Sequence, residues 1–399
     1  MAQLSPNRPR DRASTTRAGA GRAESLRADD AEAVPTETPQ ADQAGTDPGN
    51  TDSTNTDTAS TASTRVDQRR DELTPTGALP QFDPTLELTG PLPIVAKRRV
   101  GESDLVVYPL ALGGNVFGWT ADGDSSHQIL DRYSLLGGNF IDTADVYAGG
   151  RSEVLIGSWM RDRGNRDKIV LATKVGRHKD NPGLSSVSIV RAVEASLERL
   201  QTDYIDLLYF HDDDLSVPIE DSLATAEWLI ESGKVRYLAA SNFSADRLIE
   251  ARILSATGLP QFVAIQTHYN LLHRAEFEAD LRIVASAQGL AVMPYYALAN
   301  GFLTGKYRAK EDLADTARGA RAAEYLNRRG HRALGALDRV ARMHGSSPAS
   351  VALAWLQAKR NVTAPVASAS RPEQVDALMA AASIRLTRAQ MLELDRVTE

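Results

Sequence analysis

The sequence predicts an α/β protein: a (β/α)8 TIM barrel with an N-terminal hairpin over residues 93–399, preceded by a disordered tail over 1–92. Three observations predict it. From about residue 93, short runs rich in Val, Ile and Leu alternate with longer amphipathic stretches. The alternation repeats at about 30 residues, the size of a βαβ unit. Eight such runs of even spacing suit a closed barrel better than an open doubly wound sheet, and no G-x-G-x-x-G follows the first of them.

The elements follow in order. The stretch 93–100, a Gly101-Glu102-Ser103-Asp104 turn and the stretch 105–108 form the hairpin. Strand runs fall at 109–112, 139–142, 169–173, 204–210, 235–240, 262–265, 290–294 and 362–366. They lack strict polar alternation, as strands covered on both faces do. Helical patterns occupy 125–136, 152–163, 187–200, 219–231, 245–256, 275–287 and 349–359. Ser185 or Ser186 and Ser244 are start signals, and Gly233, Gly258 and Gly289 are stops. Residues 301–330 read as a mobile loop plus an added helix, and short helices at 372–381 and 387–397 end the chain.

Composition narrows the function. Residues 1–92 are rich in Asp, Thr, Ser, Ala, Pro and Gly, with almost no aromatic side chains, too little apolar surface to offset ordering entropy. A net charge of −7 offers no basic surplus for nucleic acid. No apolar run approaches the roughly 20 residues that span a bilayer. The 399 residues include no cysteine, which excludes disulfides, thiolate metal sites and cysteine nucleophiles. A cytoplasmic protein with neither nucleic-acid nor membrane partner is expected; oligomeric state is not legible.

Catalytic residues of such barrels lie at the C-terminal ends of strands. The second strand ends in Asp142, with Tyr147 five residues on; the third in Thr173-Lys174; the fourth in Phe210-His211; the fifth in Ser241-Asn242; the sixth in Gln266; the seventh at Tyr295-Tyr296. Together they deliver polar and aromatic groups to one rim. Carbonyl reduction needs a hydride at carbon and a proton at oxygen. A phenol with an ordinary pKa near ~10 exchanges its proton poorly at neutral pH, and a lysine cation beside it lowers that value. Tyr147 is therefore the expected proton donor, Lys174 its activating cation and Asp142 the anchor of that cation, with His211 hydrogen-bonding the substrate oxygen. No side chain supplies a hydride, so a cofactor must. Ser241, Asn242 and Gln266 can hold a carboxamide, and Tyr295 can stack on a planar ring.

Lys174 alone suits a Schiff base, but Tyr147 and the amide-rich rim favour reduction. His211 with Asp212-Asp213-Asp214 suggests a metal, yet no second histidine is near, so no metal is expected and the acidic run reads as a solvated loop. Asp206, inside an apolar strand, reads as structural. Phe117 and Trp119 either line the substrate pocket or cap the barrel.

These residues resemble the aldo-keto reductase family. Residues 138–147, GNFIDTADVY, are similar to its first signature, Ala172-Thr173-Lys174 to its lysine strand and 203–211, DYIDLLYFH, to its histidine strand. Ser241-Asn242-Phe243 and 266–270, QTHYN, resemble its nicotinamide contacts, and 301–307, GFLTGKY, its pyrophosphate loop. The resemblance spans about 94–399. It implies NADP(H)-dependent reduction of a small-molecule aldehyde or ketone, with Leu298, Gly305, Lys306, Ser368 and Arg371 as further cofactor contacts. Three stretches depart from the family pattern: Tyr295-Tyr296-Ala297-Leu298; Ser368-Ala369-Ser370-Arg371 in place of Gly-x-Arg; and Ala377-Leu378 in place of an acid and an amide near the adenine. They leave the preference for NADP over NAD open. The family also includes nicotinamide-binding accessory subunits of membrane channels, the alternative function, against which His211 argues.

Overall fold

The computed structural model describes residues 94–314 and 316–398; the expected tail over 1–92 lies outside the described residues. The hairpin pairs β1 (Arg98–Arg99) with β2 (Val106–Val107) antiparallel. Parallel strands β3 (Ala111–Gly113), β4 (Phe140–Asp142), β5 (Val170–Val175), β6 (Ile205–Phe210), β7 (Val235–Ser241), β8 (Phe262–His268), β9 (Ala291–Tyr295) and β10 (Val366–Ala367) form one sheet, with β10 beside β3. The ring closes between its first and last members: Val292 bridges Val362, and the Thr363 amide donates to the Val292 carbonyl at 2.9 Å. This is a (β/α)8 barrel, as the sequence predicts.

Two apolar clusters hold it. The larger lies between strands and helices and takes outward residues such as Leu171, Leu208, Phe210 and Ile265. The smaller fills the barrel with Ala111, Phe140, Ala172, Leu207, Tyr209, Ala239, Ala264, Ala291 and Met293, joined by Val100, Leu105 and Val107 of the hairpin. The hairpin therefore plugs the N-terminal end. Because side chains alternate along a strand, the next inward positions are Asp142, Lys174, His211, Ser241, Gln266 and Tyr295. The interior alanines leave room at that level.

Around the barrel run α1 (Gly123–Leu135), α2 (Arg151–Arg163), α3 (Ser186–Leu200), α4 (Ile219–Glu231), α5 (Ala245–Ser255), α6 (Arg282–Ala287), α7 (Gly319–Ala322), α8 (Arg328–Met343), α9 (Pro348–Gln357), α10 (Glu373–Met379) and α11 (Arg388–Thr398). Ser185 and Ser244 cap α3 and α5 by accepting from the Ser188 and Arg247 amides. Two expectations need correction. The helix predicted over 275–287 is regular only from Arg282; Phe277–Leu281 is a π-type turn broken at Ala279, where Glu278 is held by Tyr269 and Arg274. The expectation for 301–330 is met only in part: the short helix α7 lies inside it, but a second, α8, starts there and runs on to Met343. Asn327 caps it by accepting from the Gly330 amide at 3.0 Å, so Gly330 opens the helix rather than ending a loop.

Candidate active site

Each rim residue is set by its strand. Register places Asp142 beside Ala172, Lys174 beside Tyr209 and Ser241 beside Gln266. Lys174, Ser241, Gln266 and Tyr295 lie inside their strands rather than just beyond them, which fixes their backbones firmly.

Lys174 is the centre. Its ammonium donates to Asp142 Oδ1 at 2.6 Å, to the Thr143 carbonyl at 2.8 Å and to the Tyr147 hydroxyl at 3.4 Å. Those partners account for its three protons. Only 1% of the Lys174 side chain and 2% of the Asp142 side chain are exposed, so the pair is shielded from water. The other Asp142 oxygen accepts from the Gln266 amide at 2.7 Å. Thr143 had no signal in the sequence, because it contributes through a backbone carbonyl. Its amide donates to the Ala172 carbonyl, which brings the loop back over β5.

Tyr147 opens a short 3-10 turn, Tyr147–Gly150, and is half-buried. Its ring meets that of His211 edge-on, centroids 6.1 Å apart. His211 is 5% exposed, and its Nδ1 finds no partner among the described residues. Burial, then the Arg177 and Lys174 cations, holds its pKa well below the usual imidazole value. The ring is therefore neutral and carries one N–H.

The polar rim continues beside these residues. Asn242, with φ of 58°, donates to the His211 carbonyl at 2.9 Å, and the Tyr295 hydroxyl donates to Asn242 Oδ1 at 2.9 Å. The Tyr295 ring stacks on His268, which itself stacks face to face on His273 with centroids 3.6 Å apart. His268 and His273 were not singled out in the sequence.

The remaining expected cofactor residues lie on two segments, the turn after β9 and the stretch that follows β10. Leu298 accepts through its carbonyl from the Gly301 and Leu303 amides, and the turn they define ends at Gly305, with φ of 79°. Within that turn Asn300 Oδ1 is buried without a partner among the described residues, an oxygen suited to a bound donor. Lys306 lies over the Tyr307 ring. Ser368 donates to Asn115 at 2.7 Å, and Arg371 is exposed beyond β10. Amide side chains, a flat phenol, a glycine turn, a lysine and an arginine are the kinds of group that an extended nicotinamide dinucleotide requires. No cluster of metal-ligating side chains occurs among the described residues.

The acidic run after His211 is more engaged than a solvated loop. Asp212 pairs with Arg177, Asp213 with Arg247, and Asp214 accepts from the Leu184 amide. Asp206 is structural as expected: buried, it accepts from the Leu171 amide and pairs with Arg166 and Arg236.

The profile of the aldo/keto reductase family matches residues 109–399. The chain belongs to the aldo/keto reductase family. Among the chain's relatives, a norsolorinic acid reductase of Aspergillus flavus is 33% identical over 72% of this chain and 77% of its own. The aldo-keto reductase ausK of Emericella nidulans is 34% identical over 78% and 85%. A probable voltage-gated potassium channel subunit beta of Oryza sativa is 32% identical over 70% and 88%. No helix among the described residues is long and apolar enough to cross a membrane.

Proposed function

We propose that this protein reduces an aldehyde or ketone to an alcohol, with NADP(H) as hydride source and Tyr147 as proton donor. The observation that carries the proposal is the shielded ammonium of Lys174, held by Asp142 and the Thr143 carbonyl and in contact with the Tyr147 hydroxyl. With the ammonium donating to its oxygen, the phenol directs its own proton into the barrel mouth. Once that proton leaves, the same ammonium stabilises the phenolate. The neutral imidazole of His211 offers its N–H to the substrate oxygen as charge develops there. Asp142 keeps the ammonium in place, and Gln266 orients Asp142. When bound, the dinucleotide supplies the hydride. Ser241, Asn242, Gln266 and Tyr295 hold its carboxamide and ring, Leu298, Gly305 and Lys306 its pyrophosphate, and Ser368 and Arg371 its ribose phosphate.

The relatives named as reductases support reduction. The relative named as a channel subunit supports a second reading, a nicotinamide-binding accessory subunit of a membrane channel; under either reading we propose a cytoplasmic location. Mixing the protein with NADPH and a test aldehyde separates them. The first reading expects steady loss of the reduced-nicotinamide absorbance, faster than with NADH. Binding of NADPH without turnover, together with co-purification with a channel, favours the second.

A further inference from the structure

A buried acid with no part in this scheme stands two residues before Tyr147. Asp145 is 1% exposed, and neither of its oxygens reaches full hydrogen-bond geometry with a described residue, although the nearby Val146 and Gly176 amides lower its pKa in part. A carboxylate in that setting is costly unless it keeps its proton. Its charged neighbours come from two helices. Glu153 of α2 is fully buried, and both its oxygens are taken: the Thr173 hydroxyl donates at 2.6 Å and Arg199 Nε, from α3, at 2.7 Å. One guanidinium therefore serves two buried acids and is bonded to only one of them. Burial, then the Glu153 charge, pushes the Asp145 carboxyl up to about 7, with Arg199 opposing.

The acid sits at the root of the turn that carries the phenol. The Asp145 amide donates to the Lys174 carbonyl at 3.0 Å. After Tyr147 the backbone is left-handed at Ala148, Gly149 and Gly150, with φ of 50°, 63° and 88°. Such a segment persists only while its surroundings hold it, and Arg199 is part of those surroundings. A Cβ at Gly150 would lie 2.8 Å from Arg199 Cδ.

We propose that Asp145 is a positioning residue: as the neutral acid it keeps the 145–150 turn seated with Tyr147 against Lys174, and its ionisation unseats that turn. The charged groups facing it are Glu153 from α2 and Arg199 from α3. Because the folded carboxyl titrates above its ordinary value of 3.8, the cost of ionising it is absent in acid, grows as pH rises to about 7 and is fully present above that. The turn is thus seated at low pH and loosened at high pH. The effect on rate rests on the proton-donor reading of Tyr147; the effect on the turn does not.

The test uses the full chain, the Asp145→Asn variant and the Glu153→Gln variant. Amide hydrogen exchange of residues 146–150, corrected for intrinsic rates, is followed from about pH 5.5 to about pH 8.5, alongside NADPH oxidation by a test aldehyde. In the wild type, protection of the turn is expected to fall by up to about tenfold per pH unit as pH rises to about 7 and to level off above it, with kcat/KM declining over the same window to a matching alkaline limb. Asp145→Asn, which cannot ionise, should keep the turn protected and lose that limb. Glu153→Gln should move the midpoint to lower pH, since a like charge is gone and Arg199 is released toward Asp145. Protection that ignores pH, or that falls equally in Asp145→Asn, overturns the proposal. An exchange step that vanishes in Asp145→Asn, in a protein that never oxidises NADPH, leaves the turn assignment standing and removes the reductase reading instead.

Discussion

At the scale of single residues, the Lys174–Asp142 pair is the costliest element of the site. Two opposite charges have left water, and each depends on the other for its solvation. Lys174→Met should therefore destabilise the fold by about 3–5 kcal/mol as well as abolish turnover, because it strands a buried carboxylate. The double variant Lys174→Met/Asp142→Asn should recover part of that loss without recovering activity; urea unfolding of both variants measures it. The pair was legible in the sequence because each partner ends a strand run and strand ends converge. What surrounds the pair was not legible. The Thr143 carbonyl has no side-chain signature, and the bond from Gln266 to Asp142 joins strands β8 and β4, far apart in the chain. The partners of Asp212, Asp213 and Asp214 lie on two other segments, the connection after β5 and helix α5, so their composition alone reads as solvated.

At the scale of elements, the site depends on how closely α2 and α3 approach. Gly157 of α2 faces the end of α3, where a Cβ would lie 2.6 Å from the Arg199 carbonyl oxygen and the Leu200 carbonyl carbon. That contact sets the spacing between Glu153 and Arg199, and through them the turn that carries Tyr147. Gly157→Ala should force the helices apart and cost about 1–3 kcal/mol. It should lower kcat more than it raises KM, which steady-state kinetics beside a thermal melt resolves. Most helices were legible from periodicity and caps, as with Ser185 and Ser244. The exceptions have physical causes. Residues 277–281 follow a helical pattern, yet the pull of Tyr269 and Arg274 on Glu278 accompanies a π-type turn. Gly330 reads as a loop residue until its approach to the Tyr325 carbonyl is known.

At the scale of the whole molecule, the two ends of the barrel have different tasks. The hairpin seals one end with Val100, Leu105 and Val107; the charged and aromatic side chains gather at the other. Leu105→Ala should cost about 2–5 kcal/mol of stability while leaving kcat of the folded fraction unchanged, as denaturation and active-site titration would report. The barrel itself was the most legible feature, since eight evenly spaced strand runs leave few other ways to cover every apolar face.

The central claim is that the Tyr147 phenol, backed by Lys174, delivers the proton. Single-turnover reduction of a test aldehyde by the Tyr147→Phe variant, with NADPH affinity measured on the same sample, tests it most directly. A rate about 10²- to 10⁴-fold lower at unchanged NADPH affinity is the result expected of a lost general acid. Wild-type rates in the phenylalanine variant would contradict it.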